Sequence, residues 1–312
     1  MNALSWESWG TAYGTSVDID DGPSTDRSGQ VNDEVELPAA AWKAIPPPDA
    51  SLRPDVVTFV DGVMRNDARG WLTDDAGDTH PVLAASYAAG AVRCDRRRGV
   101  AEVIGPVVER ALLSAMPDAP SIGTEPARYA AHRASRDAAE HLDRDLSKLL
   151  SALELKVSHE AGAVAAEDEL LVVDGRLRER RDLPNTLGYV KTQHSRYLEP
   201  PLVRVVTGLA VGHRTPVFSF SGLFSWYLRL PGPVGSPWSG IVRLECADRM
   251  TAADAIRLAG VSAATLPGFA SSAYKDPRAP QNLIPIAGLE RRLRGLLGDP
   301  RLLQRTLRTA VR

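Results

Sequence analysis

Runs of apolar and mostly β-branched residues, separated by turn residues, predict strands in the first part of the chain. The run that ends at Asp61-Gly62 predicts a central strand, and we expect a hairpin to lead from it to a second short strand at Arg69. Further strands are predicted over Val82–Arg93 and Val100–Pro106. These segments together predict an antiparallel meander.

Apolar residues at spacings of three and four predict an amphipathic helix from Arg128 to about Val157. The apolar run that ends at Asp174 shows no polar alternation, which is typical of a strand covered on both faces. The later segments are predicted as strands at Leu187–Thr192, Val217–Phe220, Phe224–Leu230 and Ile241–Cys246, and as helices at Pro201–Ala210, Thr251–Ala264 and Ile284–Arg312. Because strands and helices are mixed rather than strictly alternating, the sequence predicts an α/β fold with one mixed β-sheet flanked by helices and a C-terminal helical segment.

Charge is distributed unevenly along the chain. Residues 1–41 hold eight acidic residues and one basic residue, a net charge of −7, and since the whole chain carries −2, the remaining 271 residues carry +5. The first 50 residues are also rich in Gly, Ser, Asp and Pro, so we expect residues 1–50 to form a flexible acidic arm and residues 51–312 one domain. Arginine clusters in the domain could bind phosphates, and a solvated arginine-rich surface is the alternative.

Hydropathy and cysteine usage narrow the class of protein further. No apolar run approaches the roughly 20 residues of a membrane span, and the first residues lack the pattern of a signal peptide. The sequence therefore predicts a cytoplasmic protein with no membrane partner. Cys94 and Cys246 are the two cysteines and lie far apart, which argues against a disulfide scaffold or a structural zinc site. A metal ion would have to bind to oxygen ligands.

Two Asp-Gly dipeptides, at Asp61 and Asp174, each end a run of strand-forming residues. Ordinary turn chemistry is one explanation, because Asp-Gly is a favoured hairpin corner. The alternative is that two neighbouring strands place carboxylates at the same edge of a sheet, where they could hold a divalent cation and position water on a phosphodiester.

Chain geometry suggests which helix glutamate could join these aspartates. A strand ending at Asp174 rises about 17 Å, a helix beside it needs about 11 residues to span that height, and a loop adds about four residues. The partner is then expected near 20 positions upstream, where Glu154 stands, and Glu160 at 14 positions upstream is the second choice.

The order of these motifs is more specific than any one of them. It runs from the strand with Asp61-Gly62, through a helix glutamate and Asp174-Gly-Arg-Leu177, to Leu187-Gly-Tyr-Val-Lys-Thr192 and Pro280-Gln-Asn-Leu-Ile-Pro-Ile-Ala-Gly-Leu-Glu290. Over residues 52 to 312 this order resembles the NurA nuclease family. The resemblance implies an RNase H-like fold, Mn²⁺- or Mg²⁺-dependent nuclease activity on DNA, a homodimer, and a HerA-type hexameric DNA translocase as partner in DNA end processing, repair or defence.

The resemblance also implies roles for individual residues. Asp61, Glu154 and Asp174 would be the metal-binding carboxylates, and Lys191 matches the lysine after the following strand. The family's last motif carries a tyrosine-proline and then an alanine-histidine, whose histidine belongs to the metal site; here these positions read Ala279-Pro280 and Ala287-Gly288. Asn282, through its amide oxygen, or Asp276 could replace the histidine as a ligand. The missing histidine motivates an alternative function, a catalytically weak DNA-end-binding adaptor of the same fold, and a hydrolase of small phosphorylated substrates is a third possibility.

Overall fold

A computed structural model describes residues 3–6, 31–166, 168–191, 198–232, 237–272, 274 and 278–309 of the chain. The strands of this part are β1 Ala3–Trp6, β2 Val56–Thr73, β3 Thr79–Asp95, β4 Val100–Ser114, β5 Ala130–Arg133, β6 Leu170–Asp174, β7 Thr186–Val190, β8 Phe218–Phe220, β9 Leu223–Arg229 and β10 Ile241–Ala247. Its α-helices are α1 Ala139–Ala163, α2 Pro200–Thr207, α3 Ala252–Thr265, α4 Ile284–Leu296 and α5 Pro300–Thr309. Among the described helices, none is both long enough and apolar enough to span a membrane.

The strands form one mixed sheet in the order β5-β4-β3-β2-β6-β7-β10-β9-β8, and β1 also pairs with β2. Strands β2, β3 and β4 are antiparallel neighbours, whereas β6 runs parallel to β2 and β7 runs parallel to β6. Strand β10 then joins β7 in the antiparallel direction. The predicted fold class, a mixed sheet with flanking helices and a C-terminal helical segment, is confirmed.

Helices cover both faces of the central strands, which explains the continuous apolar run in β6. Side chains alternate along a strand, so Leu170 and Val172 join the apolar core beneath α3 and α4, whereas Leu171 and Val173 join the core beneath α1. This alternation also decides which face each polar residue of β2 and β6 reaches.

The expected hairpin after Asp61-Gly62 is wrong, because β2 continues without a turn from Val56 to Thr73. The chain reverses only at residues 74–78, where Gly77 has a φ of +92° and the Asp74 amide bonds the Asp78 carbonyl. The Asp61-Gly62 dipeptide therefore lies in the middle of a strand and does not form a turn. A bulge between Asn66 and Ala68 bends β2 farther along.

The helix predicted from Arg128 to about Val157 is shifted. Helix α1 begins at Ala139 and ends at Ala163, and the preceding residues Ala130–Arg133 form β5, which pairs in parallel with β4. The apolar stripe identified in the sequence lies within α1, so the periodicity located the helix but not its ends. The residues just before the helix pair with β4 at the edge of the sheet, and this pairing makes them a strand instead of the first turns of the helix.

Residues 31–48 lie against the domain that was predicted to start at residue 51. Trp42 is buried, and both Glu36 carboxylate oxygens accept hydrogen bonds from Arg214, at 2.7 and 2.9 Å. Backbone bridges join Asn32 to Ser219 and Ile45 to Arg214. These contacts attach the second half of the predicted arm to the sheet; the division of the chain at residue 50 stays a prediction, and residues 7–30 lie outside the described part.

Candidate metal centre

Three carboxylates from three elements meet above the middle of the sheet. Asp61 lies within β2, Asp174 ends β6, and Glu290 lies in α4; one oxygen of each is within 4.8 Å of the others. Asp61 and Glu290 are each only 8% exposed. The structure therefore brings together the two aspartates singled out in the sequence, with a third acid that the sequence analysis did not select.

Two glycines next to Asp61 allow helices to approach the sheet closely on both faces. Gly90 lies opposite Asp61 on β3, and a Cβ there would be 3.2 Å from Leu293 and 3.5 Å from Leu289 of α4. A Cβ on Gly62 would be 2.6 Å from Glu154 Oε1 on the opposite face. The missing side chains let α4 approach Asp61 from one side and α1 approach the same strand from the other.

Asp61 has one oxygen with a hydrogen-bond donor and one without. Its Oδ1 accepts the backbone N–H of Gly62 at 2.8 Å, whereas its buried Oδ2 has no hydrogen-bond partner among the residues that the structure describes. Burial and the negative charge of Asp174 raise the pKa of Asp61 well above its ordinary value, against the opposing effect of Lys191. A buried carboxylate oxygen without a donor is the kind of atom that a cation satisfies.

Lys191 follows β7 and is fixed between two acceptors. Its Nζ donates to Asp174 Oδ2 at 2.5 Å and to Asn282 Oδ1 at 2.8 Å. Burial alone would lower the pKa of Lys191, but the negative charges of Asp174 and Asp61 raise it overall, so the ammonium is charged at neutral pH. Burial likewise raises the pKa of Asp174, and Lys191 opposes this shift.

Asp174 reaches this position through a turn that requires a glycine. Gly175 has a φ of +89° and its N–H donates to the Tyr189 carbonyl at 2.9 Å. The Leu177 amide then donates to Glu245 Oε1 at 2.6 Å. These bonds hold the Asp-Gly-Arg-Leu segment against β7 and β10, and here the Asp-Gly pair does end a strand, as predicted.

Glu154 lies beside the cluster but on the other face of the sheet. Successive side chains of a strand point to opposite faces, so Glu154, which lies over Gly62, is separated by β2 from the face that Asp61 shares with α4. Its carboxylate is 3.4 Å from the buried Arg180 guanidinium. Burial raises the pKa of Glu154 to about 7, although Arg180 lowers it. Glu160, the second choice, is exposed on α1.

Glu290 is the acid that the sequence analysis missed. It stands among Ile286, Leu289 and Leu293 of α4, all of which are buried, so a glutamate interrupts the apolar stripe of this helix. That interruption is the signal that could have identified it. Asn282, proposed from the sequence as a substitute ligand, contacts Lys191 through its amide oxygen, and Asp276 lies outside the described residues.

No protein-family model and no curated protein matches this chain. Among solved structures, the chain is similar to the crystal structure of Endonuclease V from Bacillus subtilis, with 14% sequence identity and a TM-score of 0.37. The similarity covers 80% of this chain and 84% of that one. At so low a TM-score, it carries no conclusion about the activity of the present chain.

Proposed function

We propose that this protein is a divalent-metal-dependent nuclease that hydrolyses phosphodiester bonds in DNA. The observation that carries the proposal is the group of three acids, Asp61, Asp174 and Glu290, one oxygen of each lying within 4.8 Å of the others, beside the partly buried Lys191. Like charges in such proximity repel, so a fold that brings them together is best explained by a cation that they bind.

The residues present fit a hard divalent cation. All three groups of the cluster offer carboxylate oxygens, which Mg²⁺ and Mn²⁺ prefer over sulfur and which bind them without a histidine. The Asp61 Oδ2 atom, buried and without a donor, would gain a partner. Glu290 supplies an acidic oxygen from the same C-terminal segment in which the family that the sequence resembles carries a histidine ligand and this chain does not.

The carboxylates and the lysine of the site would have different roles in the reaction. Asp61, Asp174 and Glu290 would hold the cation, which when bound makes water a better nucleophile and offsets the charge of the phosphate. The Lys191 ammonium, fixed by Asp174 and Asn282, provides a preorganised positive charge for a developing phosphate charge. Glu154 lies on the other face of β2, so the proposed cation is held by the other three acids, and the predicted role of Glu154 as a ligand stays a prediction that would require its carboxylate, with a pKa of about 7, to lose its proton.

Basic residues beside the site could hold the DNA backbone. The loop after Asp174 carries four arginines within six positions, Arg176, Arg178, Arg180 and Arg181. Arg178 is exposed, and its Nη1 donates to Ser151 Oγ of α1 at 3.2 Å, so it is directed toward the helix that carries Glu154. We expect phosphates on this side of the site to contact Arg176 and Arg178.

The partners belong to the proposal as well. A homodimer and a HerA-type hexameric ATPase that feeds DNA to the site are expectations from the resemblance alone. Co-elution of the protein with such an ATPase, and its mass in solution, would test them independently of nuclease activity.

The direct test is cleavage of end-labelled DNA by the purified protein with Mn²⁺, with Mg²⁺ and with EDTA. We expect metal-dependent cleavage that Asp174→Asn reduces by at least about 100-fold, because the substitution removes a ligand charge. Asp118→Asn is the matched control, since Asp118 is exposed and lies outside the cluster. An Asp174→Asn protein as active as the wild type would show that the assignment of the site is wrong.

The same experiment separates the alternative function. The adaptor hypothesis rests on the missing histidine, and it predicts binding of DNA ends without cleavage in Mn²⁺. The acidic cluster favours the nuclease, because a binding protein gains nothing from three largely buried carboxylates next to a phosphate backbone. DNA binding that persists in Mn²⁺ with intact substrate would favour the adaptor.

A further inference from the structure

Arg278 forms an ion pair with a proposed metal ligand. Its Nη1 donates to Glu290 Oε1 at 3.1 Å and its Nη2 donates to Glu290 Oε2 at 2.6 Å, so the guanidinium occupies both carboxylate oxygens. The Arg278 side chain is 50% exposed, whereas that of Glu290 is 11% exposed. The arginine therefore contacts the cluster from the side that faces solvent, which is the side from which a substrate would arrive.

A bound cation and this ion pair oppose each other. A divalent cation that shares an oxygen of Glu290 would lie close to the guanidinium, and two positive groups at that separation repel. Arg278 also acts on the cluster as a whole, since its charge lowers the pKa of Asp174. When a cation binds, the favourable partner for the guanidinium is therefore another anion next to the site.

The planar guanidinium fork suits a phosphate as well as a carboxylate, because both present two oxygens for parallel hydrogen bonds. We propose that Arg278 is a substrate-binding catalytic residue that exchanges partners: it pairs with Glu290 in the metal-free protein and with an oxygen of a DNA phosphate when cation and DNA are bound. This inference rests on the proposed function and adds a residue that the motifs did not suggest. In this proposal, the ion pair with Arg278 also limits how readily Glu290 can bind the cation.

The test is the affinity of the metal-free protein for Mn²⁺ alone, measured by calorimetry. Arg278→Gln should bind Mn²⁺ about two- to fivefold more tightly, the equivalent of releasing one half-exposed ion pair. In a Glu290→Gln background, the same substitution should change the Mn²⁺ affinity less, because the competition for Glu290 no longer exists and only the effect of the charge on Asp174 remains. Arg144→Gln is the control, since it removes the same charge from an exposed position about 15 Å along α1 from Glu154.

Cleavage of end-labelled DNA at saturating Mn²⁺ supplies the second measurement. Arg278→Gln should cleave at least about 100-fold more slowly although it binds the metal better, and Arg278→Lys should recover part of the loss. Weaker Mn²⁺ binding by Arg278→Gln would show that Arg278 only positions Glu290, and wild-type cleavage by this variant would equally overturn the inference. A wild-type protein that binds Mn²⁺ and cleaves no DNA would instead overturn the proposed function, and with it the phosphate contact proposed for Arg278.

Discussion

At the scale of single residues, the carboxylate cluster is unfavourable in the metal-free protein. Asp61 is buried next to Asp174, and in the described part of the chain its Oδ2 has no donor, so its charged form is destabilised. Asp61→Asn should therefore raise the free energy of unfolding of the metal-free protein at neutral pH, by about 1–3 kcal/mol. It should at the same time abolish cleavage. Thermal unfolding in EDTA measures the first effect.

Mn²⁺ provides the complementary measurement. The wild type should gain thermal stability with increasing Mn²⁺, because the ion binds only the folded cluster, and Asp61→Asn should gain much less. Asp118→Asn should behave as the wild type in both conditions. An Asp61→Asn protein that is less stable than the wild type in EDTA, or equally stabilised by Mn²⁺, would contradict the assignment of Asp61 as a ligand.

The raised pKa of Glu154 predicts that the stability of the folded protein falls as the pH rises. Its pKa rises from an ordinary value of 4.5 to about 7 in the folded protein, so the folded state binds the proton more tightly than the unfolded state. This contribution to stability is complete below pH 4.5 and is lost as the pH rises to about 7. Glu154→Gln, which cannot lose a proton, should remove up to about 3 kcal/mol of this pH dependence.

The measurement is urea unfolding of the metal-free protein between pH 5 and 8, compared between the wild type and Glu154→Gln. Glu160→Gln serves as the control, because Glu160 is exposed on the same helix. Parallel stability curves for the wild type and Glu154→Gln would contradict the raised pKa.

At the scale of elements, the site depends on how closely two helices approach one strand. A methyl group on Gly62 would overlap Glu154 Oε1 and Leu150 Cδ1, each 2.6 Å away, whereas one on Gly90 meets its nearest neighbour, Leu293, at 3.2 Å. Gly62→Ala should thus displace the Glu154 carboxylate at a cost of about 1–2 kcal/mol in stability. Gly90→Ala should be tolerated with a small shift of α4.

Cleavage rates of these two variants at saturating Mn²⁺ test whether the position of Glu154 matters. If Glu154 completes the site, Gly62→Ala should lose at least about tenfold in rate, since a misplaced group loses most of its effect. Gly90→Ala provides the comparison on the face of α4. A Gly62→Ala protein with wild-type rate would leave Glu154 without the predicted role.

The sequence predicted much of this architecture because the signals were local. The apolar run before Asp174 has to be a buried strand, and the stripe that includes Leu142 and Leu146 has to be a helix. The course of β2 through Asp61-Gly62 could not be predicted in this way, because the reason for Gly62 is a contact with α1, far along the chain. For Glu290, the interrupted apolar stripe of α4 is a local signal, but its proximity to Asp61 depends on where α4 crosses β2, which no local pattern specifies.

At the scale of the whole molecule, charge separates one end of the chain from the rest. Residues 1–30 contain five acidic residues and one basic residue, a net charge of −4, so the other residues carry +2 within the total of −2. These acids are Glu7, Asp18, Asp20, Asp21 and Asp26. We have proposed that the rest of the protein binds DNA phosphates, and an acidic segment tethered to a phosphate-binding surface competes with DNA for it.

Conversion of these five acids to their amides should therefore tighten DNA binding by about three- to tenfold at low salt, and the difference should vanish near 0.5 M salt, where such interactions are screened. The control changes the net charge equally by converting five exposed acids of the domain, Asp118, Glu125, Glu140, Glu160 and Glu199. Equal effects of both variants would indicate a general effect of net charge rather than competition by the N-terminal segment. If the segment instead docks on a basic partner subunit, DNA affinity should stay constant and co-elution with the HerA-type ATPase should weaken. Unchanged DNA affinity, salt dependence and co-elution together would exclude both competition with DNA and docking on a partner, because each of these roles requires the five acidic charges.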